Sequence, residues 1–123
     1  MGAFFMEVTY KDDELLKINS GSYYIHDSTI SRFDIYEHEY QLCIDVYFNS
    51  IKGGKQLKIH FTGIIRYQFS YSNNYNFYTV ESYKFFKSKE GYYISLAPFN
   101  ELDEISEEDE DLILCEHIEG FFI

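Results

Sequence analysis

The chain has few of the residues that mark disulfide-rich or metal-binding proteins. It contains two cysteines, Cys43 and Cys115, a single proline and no tryptophan. Two cysteines without a CxxC spacing are too few for a disulfide framework and provide no zinc or redox motif. Both lie within apolar, strand-like stretches, where a cysteine usually behaves as a small hydrophobic residue. The sequence therefore predicts two buried thiols.

Basic residues are missing from the last 34 positions. Residues 1–89 carry 10 basic and 10 acidic side chains, whereas residues 90–123 carry 11 acids and neither Lys nor Arg. The whole net charge of −11 therefore belongs to the C-terminal part of the chain. No clustered basic face is present to neutralise phosphates, so nucleic acid is not the expected partner. A basic protein remains a candidate partner.

Signals for secretion or membrane insertion are also missing. The apolar stretch Met1–Met6 has no basic residue before it, and Met6 stands where myristoylation needs Ser or Thr. No apolar run approaches the roughly 20 residues that a membrane helix needs. We therefore expect one globular domain over residues 1–123, located in the cytoplasm and without membrane contact.

The chain is rich in the residues that strands prefer, with 13 Tyr and 12 Phe. Apolar and polar residues alternate over 40–48 and 55–61 on either side of Gly53–Gly54, which predicts a hairpin. Similar patterns predict strands over 29–36, 65–71, 92–96 and 111–119, with a turn at 37–39 and a bend at 62–63. The segment 75–87 is ambiguous, and Tyr78 and Val80 in it would suit a further strand. Helix signals are limited to 12–18, with Asp12 as the cap, and 102–109. The predicted fold is a mostly β, antiparallel β-sandwich or partly open barrel of about seven to eight strands, with one or two short helices.

The four histidines of the chain form neither an HxH nor an HExxH motif. His26 and Asp27 are the one local pair of interest, and Asp27-Ser28-Thr29 is typical of a turn that leads into a strand. A catalytic His–Asp pair would need a nucleophile such as Ser28 on a sharp elbow, and no GxSxG motif is present. We therefore predict no catalytic residue, no metal ligand and no cofactor. An enzyme using His26 and Asp27 is the less favoured alternative.

Eight acidic residues are concentrated within residues 101–111. The segment lacks the glycine and the ligand spacing of an EF-hand loop. It fits a solvated acidic loop, an adventitious site for a divalent ion, or a surface that steers a basic partner. As a solvated segment, it is expected to tolerate neutralisation of Glu107, Glu108 and Asp109 without loss of the fold. The residues predicted to contact a partner are Glu101, Asp103, Glu104, Glu107, Glu108, Asp109, Glu110 and Asp111.

The sequence contains two stretches, His26–Ile30 and Gly91–Glu101, that resemble parts of small bacterial domains that include immunity proteins. The first is His26-Asp27-Ser28-Thr29-Ile30, similar to an HDSxI-like start. The second runs from Gly91 to Glu101 and continues at Ser106-Glu107-Glu108-Asp109, similar to a strand that enters an SLDPYDE-like turn and an acidic pair. Ala97 and Asn100 stand where that pattern usually has Asp. The resemblance covers about a quarter of the chain, with the motifs in matching order.

The resemblance implies a β-rich protein that binds and neutralises a bacterial toxin. An acidic inhibitor can cover the basic surface with which a nuclease toxin grips nucleic acid. We therefore expect a non-enzymatic binding protein whose partner is basic, such as a cognate toxin. A small-ligand-binding or structural β-domain is the alternative, and the tyrosines on outer strand faces (Tyr47, Tyr67 and Tyr71) leave a homodimer open.

Overall fold

The computed structural model describes residues 8–22, 25–49, 51, 56–73 and 79–123. Three predicted features, namely the apolar N-terminal stretch, the Gly53–Gly54 turn and the strand signal around Tyr78, lie outside these residues. The predicted mostly β fold is confirmed. The described elements are β1 (Val8–Lys11), α1 (Asp13–Ser22), β2 (Thr29–His38), β3 (Gln41–Asn49), β4 (Leu57–Gln68), β5 (Lys84–Lys87), β6 (Tyr92–Ala97) and β7 (Glu110–Phe122).

All seven described strands belong to one antiparallel sheet, in which six follow the order β2-β3-β4-β7-β6-β5 and β1 pairs with β7. The long strand β7 is its centre: β4 pairs along one edge, while β6 and β1 share the other. An isolated bridge joins Thr29 of β2 to Thr79, which precedes β5 in the chain. No ladder between β2 and β5 occurs in the described part of the chain, so the sheet is open. A single sheet matches the predicted partly open barrel rather than a two-sheet sandwich.

The β2–β3 hairpin is confirmed, but its turn lies later than predicted. The turn residues are Glu39 and Tyr40, both with positive φ (52° and 67°). Two consecutive residues of this kind form the tight connection that suits the twist of paired strands. Tyr40, predicted to open the inward face of β3, is instead 96% exposed at the turn. The alternation of apolar and polar residues did not reveal the position of the turn, because the aromatic residue Tyr40 continues that alternation.

The predicted bend after Phe61 is a bulge within one continuous strand. β4 runs from Leu57 to Gln68 and pairs with β7 throughout, with its register shifting between Ile64 and Arg66. Gly63 has a φ of +63°, a conformation that glycine adopts without strain. The separate strand expected over 65–71 is therefore wrong: its first four residues are the end of β4. Ile65, at 52% exposure, points away from the core.

The first helix is longer than predicted, and its expected cap has a different role. Asp12 precedes α1, and its backbone carbonyl accepts from the amides of Leu15 and Leu16. Its side-chain Oδ1 instead accepts from the backbone amide of Ile118, 3.0 Å away. Asp12 thus ties the start of the helix to β7. This use of the carboxylate depends on a residue 106 positions away, which a local capping pattern does not contain.

Two hydrophobic clusters lie on opposite faces of the sheet. The larger combines α1 with strands from both ends of the sheet and includes Leu15, Ile30, Val46 and Ile94. The smaller is formed by Tyr93, Leu112 and Leu114, with Phe86 and Ile105 packed against it. The central residues of β7 are therefore covered on both faces. The chain segment that covers the smaller cluster follows β6.

That segment is not the helix predicted over 102–109, because its residues form bends and a turn. Among the described residues, α1 is the one helix, and it is too short and too polar to cross a membrane. Cys43 and Cys115 are both free and buried, as expected. Burial raises the pKa of the Cys115 thiol to about 12.

Candidate functional site

The segment between β6 and β7, residues 98–109, is here called the acidic loop. The eight predicted contact residues do not share one environment. Asp109 and Asp111 are 2% and 1% exposed, so the expectation of solvated carboxylates is wrong for these two. The other six lie at the surface: Glu101, Asp103, Glu104, Glu107, Glu108 and Glu110.

Asp109 fastens the acidic loop to the sheet. The ammonium of Lys84 on β5 lies 3.0 Å from each carboxylate oxygen, and neither side chain reaches solvent. The Tyr93 hydroxyl donates to Oδ2 at 2.7 Å, and the amides of Phe99 and Ser106 donate from 2.9 and 3.0 Å. A buried charge is tolerated when its lone pairs are satisfied in this way.

The electrostatics of Asp109 follow from these contacts. Burial by itself would raise the pKa of the carboxyl group, but the donated hydrogen bonds and Lys84 outweigh burial and hold the pKa below its ordinary value. Burial, followed by the bond to Asp109, raises the pKa of Tyr93. Lys84 also donates to the backbone carbonyl of Glu104 at 2.8 Å. Lys84 on β5 thus holds the acidic loop at two positions, Glu104 and Asp109.

Asp111 fastens the chain at the start of β7. Its backbone has a positive φ of 50°, and its Oδ1 accepts from the amide of Ser70 at 3.0 Å. This bond connects β7 to the chain beyond the end of β4. Asp109 and Asp111 are therefore structural carboxylates. Their positions within an acidic run did not reveal this, because Lys84 and Ser70 are distant in sequence.

The outer surface of the acidic loop combines charge with apolar side chains. Phe99 and Leu102 are 61% and 59% exposed. The loop holds them in tight turns, since Asn100 Oδ1 accepts from the Leu102 amide and the Leu102 carbonyl accepts from the Glu104 amide. Exposed apolar groups bordered by charged residues are typical of protein-interaction surfaces. Only acids and neutral residues occur in residues 98–109.

His26 and Asp27 occupy a turn, as their local sequence indicates. Both side chains are exposed, and His26 Nδ1 lies 3.2 Å from Asp27 Oδ2. Asp27 has a positive φ of 61°, and its amide donates to the carbonyl of Val80. The Ser28 hydroxyl is buried and donates to the carbonyl of Ile25 at 2.7 Å. Ser28 is thus committed to the turn and is not presented as a nucleophile.

The structure brings His26 close to the start of the acidic loop. A cleft of about 380 Å³ lies between the last turn of α1, the chain before β5 and the acidic loop. His26 and Glu101, which are distant in the sequence, both line this cleft. The residues that line the cleft are Asn19, Ser20, His26, Ser82, Tyr83, Phe85, Glu101 and Asp103.

The structure contains a second polar cluster, which the sequence did not predict. On the outer face of the sheet, Asp45 is buried between His60 Nδ1 at 2.5 Å and the Tyr36 hydroxyl at 2.8 Å, with the Lys58 ammonium 3.9 Å away. Asp45 lies directly opposite His60 in the β3–β4 register. The alternation over 40–48 and 55–61 puts Asp45 and His60 on the polar faces of paired strands. The length of the connecting turn does not specify the register, so the sequence does not show that the two residues lie opposite each other.

This cluster orients a histidine without supplying a nucleophile. Burial would raise the pKa of Asp45, but hydrogen bonds from His60 and Tyr36 and the charge of Lys58 hold it below its ordinary value. Burial, then the bond to Asp45, raises the pKa of Tyr36, so its phenol stays protonated. In the described residues, this phenol is the hydroxyl that contacts His60. The cluster therefore connects β2, β3 and β4 across the outer face.

Metal-binding groups do not converge in the part of the chain that the structure describes: no three His, Cys, Asp or Glu side chains could hold one ion. Comparison with protein-family models, curated proteins and solved structures found no match.

Proposed function

We propose that this protein is a non-enzymatic binding domain that docks a basic protein through its acidic loop. The observation that carries the proposal is the exposure of Phe99 and Leu102 among carboxylates on a loop that Asp109 holds in place. A pre-positioned loop loses little conformational entropy on binding. Apolar groups provide contact area, and surrounding acids accelerate the approach of a positively charged partner.

The family resemblance supports a more specific proposal, an immunity-type protein that neutralises a bacterial toxin. The charge distribution is compatible with this role, because a toxin that grips nucleic acid needs a basic surface. An acidic loop with apolar anchors would cover such a surface and compete with phosphate. The partner we propose to test is the protein encoded by the reading frame immediately upstream.

The test is the association rate of the two proteins over a range of salt concentrations. With an acidic docking surface, the rate falls by about ten-fold or more between low and physiological ionic strength. Replacing Glu107 and Glu108 by Gln slows association, whereas the same change at Glu37 and Glu39 beside the β2–β3 turn does not. Leu102→Ala mainly accelerates dissociation, because it removes contact area rather than charge.

A salt-independent association rate, or equal effects of the two charge-neutralising pairs, would reject electrostatic docking through this loop. No binding to the upstream protein would reject the immunity proposal. A structural role would then be favoured, in which the acidic loop serves to cover the smaller hydrophobic cluster.

A further inference from the structure

The cleft beside the acidic loop has the electrostatic character of a cation site. Glu101 and Asp103 contribute carboxylates from one side. The last turn of α1, which contains Asn19 and Ser20, contributes the negative end of the helix dipole, and no basic residue lies in that turn to compensate it. Among the described residues that line the cleft, none is Lys or Arg. A positively charged group is therefore favoured there.

Asn19 provides an independent indication that a hydrogen-bond donor belongs in the cleft. The residue is 4% exposed, and its Nδ2 donates to the Tyr83 hydroxyl at 3.1 Å. Its carbonyl oxygen Oδ1 is buried and has no hydrogen-bond partner among the described residues. A buried acceptor without a donor costs about 1–3 kcal/mol. A donor that enters beside Asn19 would supply the missing bond.

The remaining walls suit a planar cation. Tyr83 and Phe85 are half-buried aromatic residues of the same lining. A guanidinium group can stack on an aromatic ring and still donate to carboxylate and amide oxygens, because its donors lie in one plane. A lysine ammonium has fewer donors and is more strongly hydrated. The volume of about 380 Å³ is at the small end of ligand pockets, which span roughly 300–1,000 Å³.

We propose that this cleft receives an arginine side chain of the basic partner. The proposal rests on the proposed function, and it names the group that the partner inserts. Glu101 and Asp103 accept from the guanidinium, Asn19 Oδ1 accepts from a further N–H, and the aromatic walls contact its face.

The test needs no partner protein. The full chain, labelled with ¹⁵N, is titrated with a capped Gly-Arg-Gly tripeptide, its neutral citrulline counterpart and its lysine counterpart. We expect saturable shifts at the amides of Ser20, Ser82 and Asp103 at millimolar arginine peptide. The lysine peptide should bind more weakly, and the citrulline peptide should cause little change. Because the partner is absent, a negative result here leaves the association-rate test of the proposed function unaffected.

Matched variants separate the cleft from general electrostatics. Glu101→Gln combined with Asp103→Asn should weaken arginine binding by about three- to ten-fold, as expected for two exposed ion pairs. Glu37→Gln combined with Glu39→Gln, at the β2–β3 hairpin, removes the same charge outside the cleft and should change affinity by less than about two-fold. Thermal melts confirm that each variant is folded. Equal responses to arginine and citrulline, equal weakening by both pairs, or shifts confined to other amides would overturn the proposal.

Discussion

Removing Lys84 should destabilise the protein far more than removing other lysines. In Lys84→Met, the Asp109 carboxylate keeps its three neutral donors but stays buried without a counter-charge. The backbone carbonyl of Glu104 also loses the donor that lies 2.8 Å away. The same strand offers a matched control, because Lys87 is more than half exposed and its ammonium lies 3.9 Å from Asp13.

The expected magnitude follows from the burial of the pair. Breaking a buried ion pair by removing one partner costs about 3–5 kcal/mol, whereas domains have about 5–15 kcal/mol of stability in total. The midpoint of urea unfolding should therefore fall by about 2 M for Lys84→Met. Lys87→Met should change stability by less than about 0.5 kcal/mol, since its ion pair is exposed.

Urea unfolding followed by circular dichroism measures both variants. A double variant with Lys84→Met and Asp109→Asn adds a further check, because removing both charges avoids leaving one of them unpaired. Its destabilisation should be smaller than the sum of the two single effects. The reasoning is refuted if Lys84→Met costs less than about 1 kcal/mol or matches Lys87→Met.

Other perturbations give graded outcomes. Ile59→Ala, at a site with no exposure, should cost about 2–5 kcal/mol in urea unfolding, and the half-exposed Ile65→Ala on the same strand should cost much less. Replacing both Glu107 and Glu108 by Gln should leave the melting temperature unchanged or slightly higher, because self-repulsion falls; a clearly lower value would show that these acids are structural. Asp109→Asn, in contrast, should destabilise the fold. The lowered pKa of Asp109 means that its contribution is complete above the ordinary value of 3.8 and disappears as the pH falls through the folded-state pKa. Stability measured from pH 5 to pH 2 should therefore decline less steeply in Asp109→Asn than in the parent; an identical decline would contradict this assignment.

Local patterns were informative where one face of a strand is buried. The β2–β3 and β3–β4 pairings were predicted correctly, and Ile44, Val46 and Phe48 are buried as their alternation indicates. Patterns failed where a residue type suited two environments. Tyr40 continues the apolar alternation but lies in the turn, and Asp12 resembles a helix cap but bonds to Ile118.

The candidate site was predictable only in outline. The exposed acids of the acidic loop were expected from composition, since clustered carboxylates stay solvated unless specific partners compensate them. The cleft was not expected from the sequence, because its lining comes from α1, from the chain before β5 and from the acidic loop. Asp45 and His60 required the strand register, which the residues of the connecting turn did not specify.

By itself, the sequence determined the antiparallel β-rich fold, the buried thiols and the concentration of negative charge in residues 90–123. These follow from alternation and composition, which act locally. Only the tertiary structure decided which carboxylates hold the fold and which face solvent. Burial of a charge depends on a counter-charge in space, and Lys84 reaches Asp109 across 25 positions. The negative charge is thus divided between buried carboxylates that anchor the fold and carboxylates that lie at the surface.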